Sequence, residues 1–125
     1  MTEFELVLVD DNAAVTDSLA QLLEAEGYHI TTFNSAADFL AEGQRRRRTC
    51  LLLDQHMPGM DGLELLARLG PDAPPTILMT GDHEAALARR ARDLGVISVL
   101  TKPVDLDRLL IDLERIAIDF ELDSA

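Results

Sequence analysis

Five short apolar runs alternate along the chain with amphipathic stretches. Most of these runs are continuous rather than alternating between apolar and polar residues, which is typical of parallel strands that helices cover on both faces. The second run is the most polar of the five, so we expect it at an edge of the sheet. The runs are Leu6–Val9, Tyr28–Phe33, Cys50–Leu53, Thr76–Met79 and Val96–Leu100.

A helical pattern follows each run, with apolar residues recurring three or four positions apart. Glycines close most of these stretches, as they commonly do at helix ends. Five strand–helix units predict right-handed crossovers and an α/β fold with a doubly wound, open parallel sheet. The helical patterns cover Val15–Leu23, Ser35–Leu40, Leu63–Leu69, Leu87–Leu94 and Leu106–Ala117.

Composition is consistent with one domain over residues 1–125. The chain is 47% apolar and 27% charged, which is enough to bury one core and too apolar for a disordered chain. Its apolar runs are far shorter than the roughly 20 residues that span a bilayer. The formal charge of −12 argues against direct nucleic-acid binding, because phosphates would be repelled. Since the N-terminus lacks the layout of a secretion signal, we expect a cytoplasmic protein without membrane association.

Polar residues follow four of the five predicted strands, at the ends where doubly wound sheets bind ligands. Asp10 and Asp11 follow the first strand, Asp54 the third, Thr80 the fourth and Lys102 the fifth. Each alone has an ordinary explanation as a helix cap, a turn residue or a solvated charge. Chance explains the whole set less well, because four separate loops contribute to it. We therefore expect three carboxylates, a hydroxyl and an ammonium to converge at one edge.

Three carboxylates that lie close together repel one another, and a divalent cation removes this conflict. Mg²⁺ prefers oxygen ligands and keeps positions open for phosphate oxygens. A carboxylate beside Mg²⁺, a lysine and a hydroxyl is suited to in-line phosphoryl transfer. Lys102 is the only lysine of the chain, which favours a role that needs a slim, flexible point charge.

The chain resembles a response-regulator receiver domain of two-component signalling over its whole length. The resemblance implies a flavodoxin-like sheet with the strand order 2-1-3-4-5 and helices on both faces, as in chemotaxis regulators. It is carried by the order and spacing of four motifs, Val9–Asp11, Leu53–Gly62, Met79–Gly81 and Leu100–Pro103.

The resemblance implies a role for each polar residue at the predicted edge. Asp54 would accept a phosphoryl group from a sensor histidine kinase or a histidine phosphotransfer protein. Asp11, Asp54 and the backbone carbonyl of His56 would ligate Mg²⁺, while Asp10 would hold a metal-bound water. Lys102 would bind a phosphoryl oxygen.

Further expectations from the resemblance concern switching. Thr80 would move towards the phosphoryl group, and the peptide bond before Pro103 would be cis, an uncommon state for X–Pro bonds. His56 and Asp82 are expected to tune the hydrolysis of the acyl phosphate. The chain departs from the family at Val99, where receivers usually carry a tyrosine or phenylalanine. We therefore expect the signal to travel through the loop after Thr80 and the fourth helix.

The last helical pattern contains a second apolar series. Val104, Ile111 and Ile118 recur at seven-residue spacing beside the expected core face. A wide buried stripe is the simpler interpretation. A docking or homodimer face is the other, and Phe120 and Leu122 would extend it.

Three classes of function compete. The first is a phosphorylation-controlled switch that is not an enzyme and acts through protein contacts, either alone, as a phosphate shuttle, or as one domain of a longer regulator. The second is an aspartate-nucleophile phosphatase, but such enzymes need a general acid two residues after the first-strand aspartate, and Asn12 stands there after Asp10. The third is a phosphate-independent interaction module, whose mark would be the loss of Asp54, Asp11 or Lys102.

Overall fold

A computed structural model describes residues 4–42, 48–81 and 84–124 of the chain. No helix in these ranges is long and apolar enough to cross a membrane. The strands are β1 (Glu5–Val9), β2 (His29–Phe33), β3 (Thr49–Asp54), β4 (Thr76–Thr80) and β5 (Ser98–Thr101). The helices are α1 (Ala13–Ala25), α2 (Ala36–Glu42), α3 (Gly62–Leu69), α4 (Ala85–Asp93) and α5 (Leu106–Ser124).

All five strands pair in parallel in the order β2-β1-β3-β4-β5, which confirms the doubly wound sheet and the edge position of the second strand. Several bounds differ from the predicted ones. At their carboxyl ends, β3 and β4 each extend by one residue to include Asp54 and Thr80, whereas β5 begins at Ser98 rather than Val96. Gly43, the glycine that follows the second helical pattern in the sequence, lies outside the described residues.

Alternate residues of the strands enter two apolar clusters on opposite faces of the sheet. In β1, Leu6 and Leu8 belong to the cluster that α1 and α5 cover, while Val7 and Val9 belong to the cluster that α2, α3 and α4 cover. The continuous apolar runs of the sequence follow from this arrangement, because both faces of each inner strand are buried. Cys50 lies fully buried in the first cluster, where burial raises the pKa of its thiol to about 12.

The outer surface of α1 departs from the predicted stripe. Leu19 and Leu23 are buried as expected, but Val15 and Leu22 remain 37% and 49% exposed. The helix begins at the cap Asn12, whose side-chain oxygen accepts hydrogen bonds from two backbone N–H groups of the first turn. The Asn12 cap therefore makes α1 begin immediately after Asp10 and Asp11, the pair of aspartates that follows β1 in the sequence.

The apolar series of the last helix is divided by the structure. Val104 packs against the cluster beneath α5, but Ile111 and Ile118 are 55% and 57% exposed, so the interpretation of a wide buried stripe is wrong for them. Phe120 is half-buried and its ring centroid lies 5.4 Å from that of Phe4. Phe120 therefore belongs to the core side of α5 rather than to an outer face.

Gly62 allows α3 to start directly against the end of β3. A Cβ atom at this position would lie 2.7 Å from the carbonyl oxygen of Asp54 and 3.0 Å from Leu78 Cδ1. The side-chain oxygen of Gln55 meanwhile accepts a hydrogen bond from Leu63 N at 2.9 Å. The absence of a side chain at Gly62 thus allows the loop after Asp54 to turn back closely against the end of β3.

We predict that Gly62→Ala lowers the free energy of unfolding by about 1–3 kcal/mol, because a backbone carbonyl cannot move away as easily as a side chain. Urea unfolding followed by circular dichroism measures this loss. Gly81→Ala is the matched control, since a Cβ there meets nothing within 4 Å, and it should leave stability undiminished. Equal effects of the two substitutions would contradict the close-packing argument.

Candidate functional site

The register of the sheet brings two aspartates of the sequence together. Val9 of β1 pairs with Leu53 of β3, so Asp10 and Asp54 are the next residues of neighbouring parallel strands. Both are almost fully buried, with exposures of 0% and 3%. The expected convergence of these carboxylates is therefore a direct consequence of strand pairing.

The ends of β4 and β5 complete the same edge. Thr80 pairs with Thr101, and Lys102 N donates a hydrogen bond to the carbonyl oxygen of Thr80 at 2.8 Å. The Lys102–Pro103 peptide bond is cis, which confirms the expectation from the sequence. The backbone of the lysine is thus held at the end of the sheet.

The ammonium group of Lys102 bridges the two buried carboxylates. Its Nζ lies 3.0 Å from Asp10 Oδ2 and 3.0 Å from Asp54 Oδ1. Burial acts to lower the pKa of Lys102, but the hydrogen bonds to Asp10 and Asp54 outweigh it and raise that pKa. Lys102 therefore remains charged at neutral pH and compensates part of the negative charge of the site.

The two oxygens of the Asp54 carboxylate differ in the hydrogen bonds that they accept from the described residues. Burial and the nearby charge of Asp10 raise the pKa of Asp54 above its usual value, although hydrogen bonds from Lys102 and from the His56 backbone oppose this shift. Both hydrogen bonds reach Oδ1, with His56 N at 3.4 Å. Within residues 4–42, 48–81 and 84–124, no donor reaches Oδ2. Among the described residues, Oδ2 is therefore the less constrained of the two oxygens.

Asp10 is held by its own loop as well as by Lys102. Its Oδ1 accepts a hydrogen bond from Asn12 N at 3.0 Å, and its carbonyl oxygen accepts one from Thr16 Oγ1 at 3.3 Å. Neither Thr16 nor this role of Asn12 was predicted from the sequence, since small polar residues at a helix start are common. These contacts fix Asp10 rather than leave it mobile.

A carboxylate oxygen from each of Asp10, Asp11 and Asp54 lies within 4.8 Å of the others. Two of these side chains are buried and Asp11 is exposed. An all-oxygen donor set with excess negative charge fits a hard divalent cation such as Mg²⁺. The fit supports the expected metal site, while the His56 carbonyl as a ligand stays a prediction.

Thr80, the expected switch residue, contacts a residue that is distant from it in the sequence. Thr80 Oγ1 lies 3.2 Å from His56 Nε2, across a separation of 24 residues. Thr80 is 1% exposed, whereas His56 is exposed.

Asp82, the second expected rate-tuning residue, lies outside the described residues. Val99 is half-buried and packs against the cluster beneath α2, α3 and α4.

An apolar cavity of about 640 Å³ opens between α1 and the loop that joins β5 to α5. Its lining includes the exposed Val15 and Leu22 as well as Met79 and Val104. Lys102 also lines it, and the Nζ atom of this residue contacts Asp10 and Asp54. An exposed apolar surface therefore lies next to the carboxylate edge.

Comparisons with known proteins agree with this geometry. A family model for the response regulator receiver domain matches residues 6–114. The transcriptional regulatory protein FixJ of Bradyrhizobium diazoefficiens is 38% identical over 115 residues, which are 90% of this chain and 56% of that protein. The chain spans about half to two thirds of the length of the FixJ proteins that it matches.

Solved structures give the same result. The crystal structure of FixJ-N superposes with a TM-score of 0.84 at 32% identity, over 94% of this chain and 95% of the other. A CheY-like receiver domain protein from Methanospirillum hungatei superposes with a TM-score of 0.87 at 27% identity, over 98% and 99%. The fold and the strand order match those of receiver domains.

Removal of the bridging ammonium should destabilise the protein. We predict that Lys102→Met lowers the free energy of unfolding by about 2–3 kcal/mol without added Mg²⁺, because two buried carboxylates lose their cation; a fully buried pair would lose about 3–5 kcal/mol. The loss should shrink as the pH falls, since a protonated carboxyl needs no cation. Urea unfolding at several pH values measures both effects.

Two further variants test the cause. Adding Asp54→Asn to Lys102→Met should recover part of the lost stability, because one of the opposed charges is gone. Arg92→Met removes an exposed cation from α4 and should change stability by no more than about 0.5 kcal/mol. The bridge would be unimportant if Lys102→Met behaved like Arg92→Met.

Proposed function

The chain belongs to the response regulator receiver domain family, and we propose that Asp54 is the residue through which it receives a phosphoryl group. The donor is the phosphohistidine of a sensor histidine kinase or of a histidine phosphotransfer protein. One observation carries this proposal above the others. Asp54 presents a buried carboxylate whose Oδ1 is held by Lys102, while Oδ2 has no donor within the described residues.

In the transfer step, a lone pair of Asp54 Oδ2 attacks the phosphorus atom. The new O–P bond forms as the P–N bond to the donor imidazole breaks, and the imidazole nitrogen retains the bonding electrons and takes a proton from solvent. Positioning and charge neutralisation supply most of the catalysis in such transfers. Lys102 provides the cation for a phosphoryl oxygen, and Thr80 provides a hydroxyl at the same edge.

Asp11, Asp54 and the carbonyl of His56 are the residues that would hold Mg²⁺, with Asp10 acting through a water. The cation would neutralise charge on the phosphoryl oxygens. The protein itself contributes a prearranged acidic edge, because Asp10 is anchored by Asn12 N and Lys102 before any partner arrives. Little rearrangement is then needed for the reaction.

We propose that the protein is a phosphorylated switch rather than a turnover enzyme. The phosphatase alternative requires a nucleophile after β1, where Asp10 is committed to Lys102 and Asn12 N. The phosphate-independent module is also less favoured, since Asp11, Asp54 and Lys102 are all present. Tuning of acyl-phosphate hydrolysis by His56 and Asp82 remains part of the proposal.

The phosphodonor approaches, on this proposal, over the apolar cavity beside α1. Val15 and Leu22 expose apolar surface there, and Lys102, which contacts Asp54, also lines the cavity. Relatives such as FixJ are named as transcriptional regulators, so we propose that this receiver, as a single domain over residues 1–125, controls an effector on the same chain or on another. With a net charge of −12, the receiver itself does not bind nucleic acid, and a cytoplasmic location is part of the proposal.

The outer face of α5 supports a homodimer. Ile111 and Ile118 each lie two residues after a buried leucine or isoleucine of α5, which places them about 200° around the helix from the core. Leu122, 69% exposed, continues this stripe. Arg108 and Arg115, both exposed, repeat at the same seven-residue spacing.

The charges beside this stripe favour a second copy in parallel. Glu114 and Glu121, exposed on the other flank, also lie seven residues apart. In a parallel pair of α5 helices, Arg115 of one copy lies close to Glu114 of the other. An antiparallel pair would instead bring acidic flanks together, because flanking positions of the same kind then face each other.

Phosphorylation is tested by incubation with acetyl phosphate followed by intact-mass measurement. We predict one added phosphoryl group in the presence of Mg²⁺ and almost none after chelation, since the acidic edge otherwise repels the reagent. Asp54→Asn should abolish the adduct, whereas Asp38→Asn, at an exposed position of α2, should retain it. An adduct that persists in Asp54→Asn would overturn the assignment, and steady turnover of phosphomonoesters would favour the phosphatase.

For the dimer, we predict concentration-dependent association that Ile118→Glu weakens at least tenfold, because a charge replaces the central apolar contact of the stripe. Sedimentation velocity over a range of protein concentrations measures the dissociation constant. Ile97→Glu is the matched control, since Ile97 is 48% exposed but lies outside α5. A monomer at every concentration, or equal weakening by both variants, would exclude this face.

A further inference from the structure

The hydrogen bond between Thr80 and His56 joins two segments of the chain, and a phosphoryl group on Asp54 would contact each of them. Thr80 ends β4, while His56 lies two residues after Asp54 in the loop that leads to α3. The Oγ1–Nε2 distance is 3.2 Å. Thr80 is nearly inaccessible to solvent, whereas His56 is exposed. The contact therefore reaches from the interior of the site to its rim.

Both backbones are fixed, so the contact depends on side-chain rotation alone. The Thr80 carbonyl accepts a hydrogen bond from Lys102 N at 2.8 Å, and His56 N donates to Asp54 Oδ1. A threonine has only a few staggered rotamers. The hydroxyl of Thr80 can therefore turn away from His56 in discrete steps but cannot drift gradually.

We propose that the His56 side chain is a latch on Thr80, a positioning role that rests on the proposed function of Asp54. In the unphosphorylated protein the imidazole holds the hydroxyl in one rotamer. A phosphoryl group on Asp54 competes with His56 for that hydroxyl. The phosphoryl group prevails because hydrogen bonds to charged oxygens are stronger than neutral ones. The hydrogen bond between Thr80 and His56 must break first, however, and this cost reduces the net free energy that the phosphoryl group gains from binding Thr80.

The latch sets the threshold of the switch rather than the chemistry of transfer. A neutral hydrogen bond in a protein has a modest net value, so its removal should shift the equilibrium by a factor of about three to ten. Loss of His56 should therefore favour the phosphorylated conformation.

A double-mutant cycle with beryllofluoride, an inorganic mimic of the phosphoryl group, tests the latch in the presence of Mg²⁺. The four proteins are the wild type, His56→Leu, Thr80→Val and the double variant. His56→Leu should bind beryllofluoride about threefold to tenfold more tightly than the wild type. In the Thr80→Val background the same substitution should change affinity by less than about twofold. Isothermal titration calorimetry measures the four dissociation constants.

A conservative variant and a spectroscopic signal separate the latch from a general structural effect. His56→Gln keeps an amide that can hydrogen-bond to Thr80 and should bind beryllofluoride nearly as the wild type does. The χ1 coupling constants of Thr80 from NMR should report one rotamer in the wild type and rotamer averaging in His56→Leu. A structural disturbance alone would not restore one rotamer in His56→Gln.

Three results would overturn the latch while leaving the proposed function intact. They are unchanged affinity in His56→Leu, weaker binding in His56→Leu, and an equal change in the Thr80→Val background. A wild-type protein that neither binds beryllofluoride nor accepts a phosphoryl group would refute the proposed function, and the latch with it.

Discussion

One ammonium group between two buried carboxylates is the constraint on which the site depends. Lys102 Nζ lies 3.0 Å from an oxygen of Asp10 and 3.0 Å from an oxygen of Asp54. Buried charges of one sign destabilise a fold unless a partner compensates them. Two carboxylates and one ammonium leave a net negative edge, and this remaining charge makes the site receptive to a divalent cation. The same ion pairs hold Oδ1 of Asp54 and leave Oδ2 for chemistry.

The rest of the fold holds these three side chains in place. Strand pairing sets Asp10 beside Asp54, and the backbone hydrogen bond from Lys102 to Thr80 carries the lysine to the same edge. Apolar clusters on both faces keep the inner strands rigid. Gly62 then lets α3 begin against the carbonyl of Asp54 without a clash. Preorganisation of this kind reduces the rearrangement that a reaction requires.

In the proposals for His56 and for the outer face of α5, signal output depends on weaker contacts than those that hold the site. The hydrogen bond of Thr80 to His56 and the stripe of α5 each include exposed side chains, His56 in the first and Ile111 and Ile118 in the second. Such contacts have small net free energies, so a single phosphoryl group is able to shift them. In these proposals, the carboxylate edge receives the group, and the contacts that reach the surface respond to it.

The sequence alone determined the sheet, its edge strand and the set of converging polar residues. Continuous apolar runs require burial on both faces, and parallel strands place all their carboxyl ends at one edge. The family motifs assigned roles to Asp54 and Lys102 on that basis. The sequence could not decide which side of α5 neighbouring elements cover, so it left both a buried stripe and a docking face open for Ile111 and Ile118, which are exposed. Only the tertiary structure brought Thr80 to His56, because that contact depends on strand register and side-chain rotamers that no local pattern records.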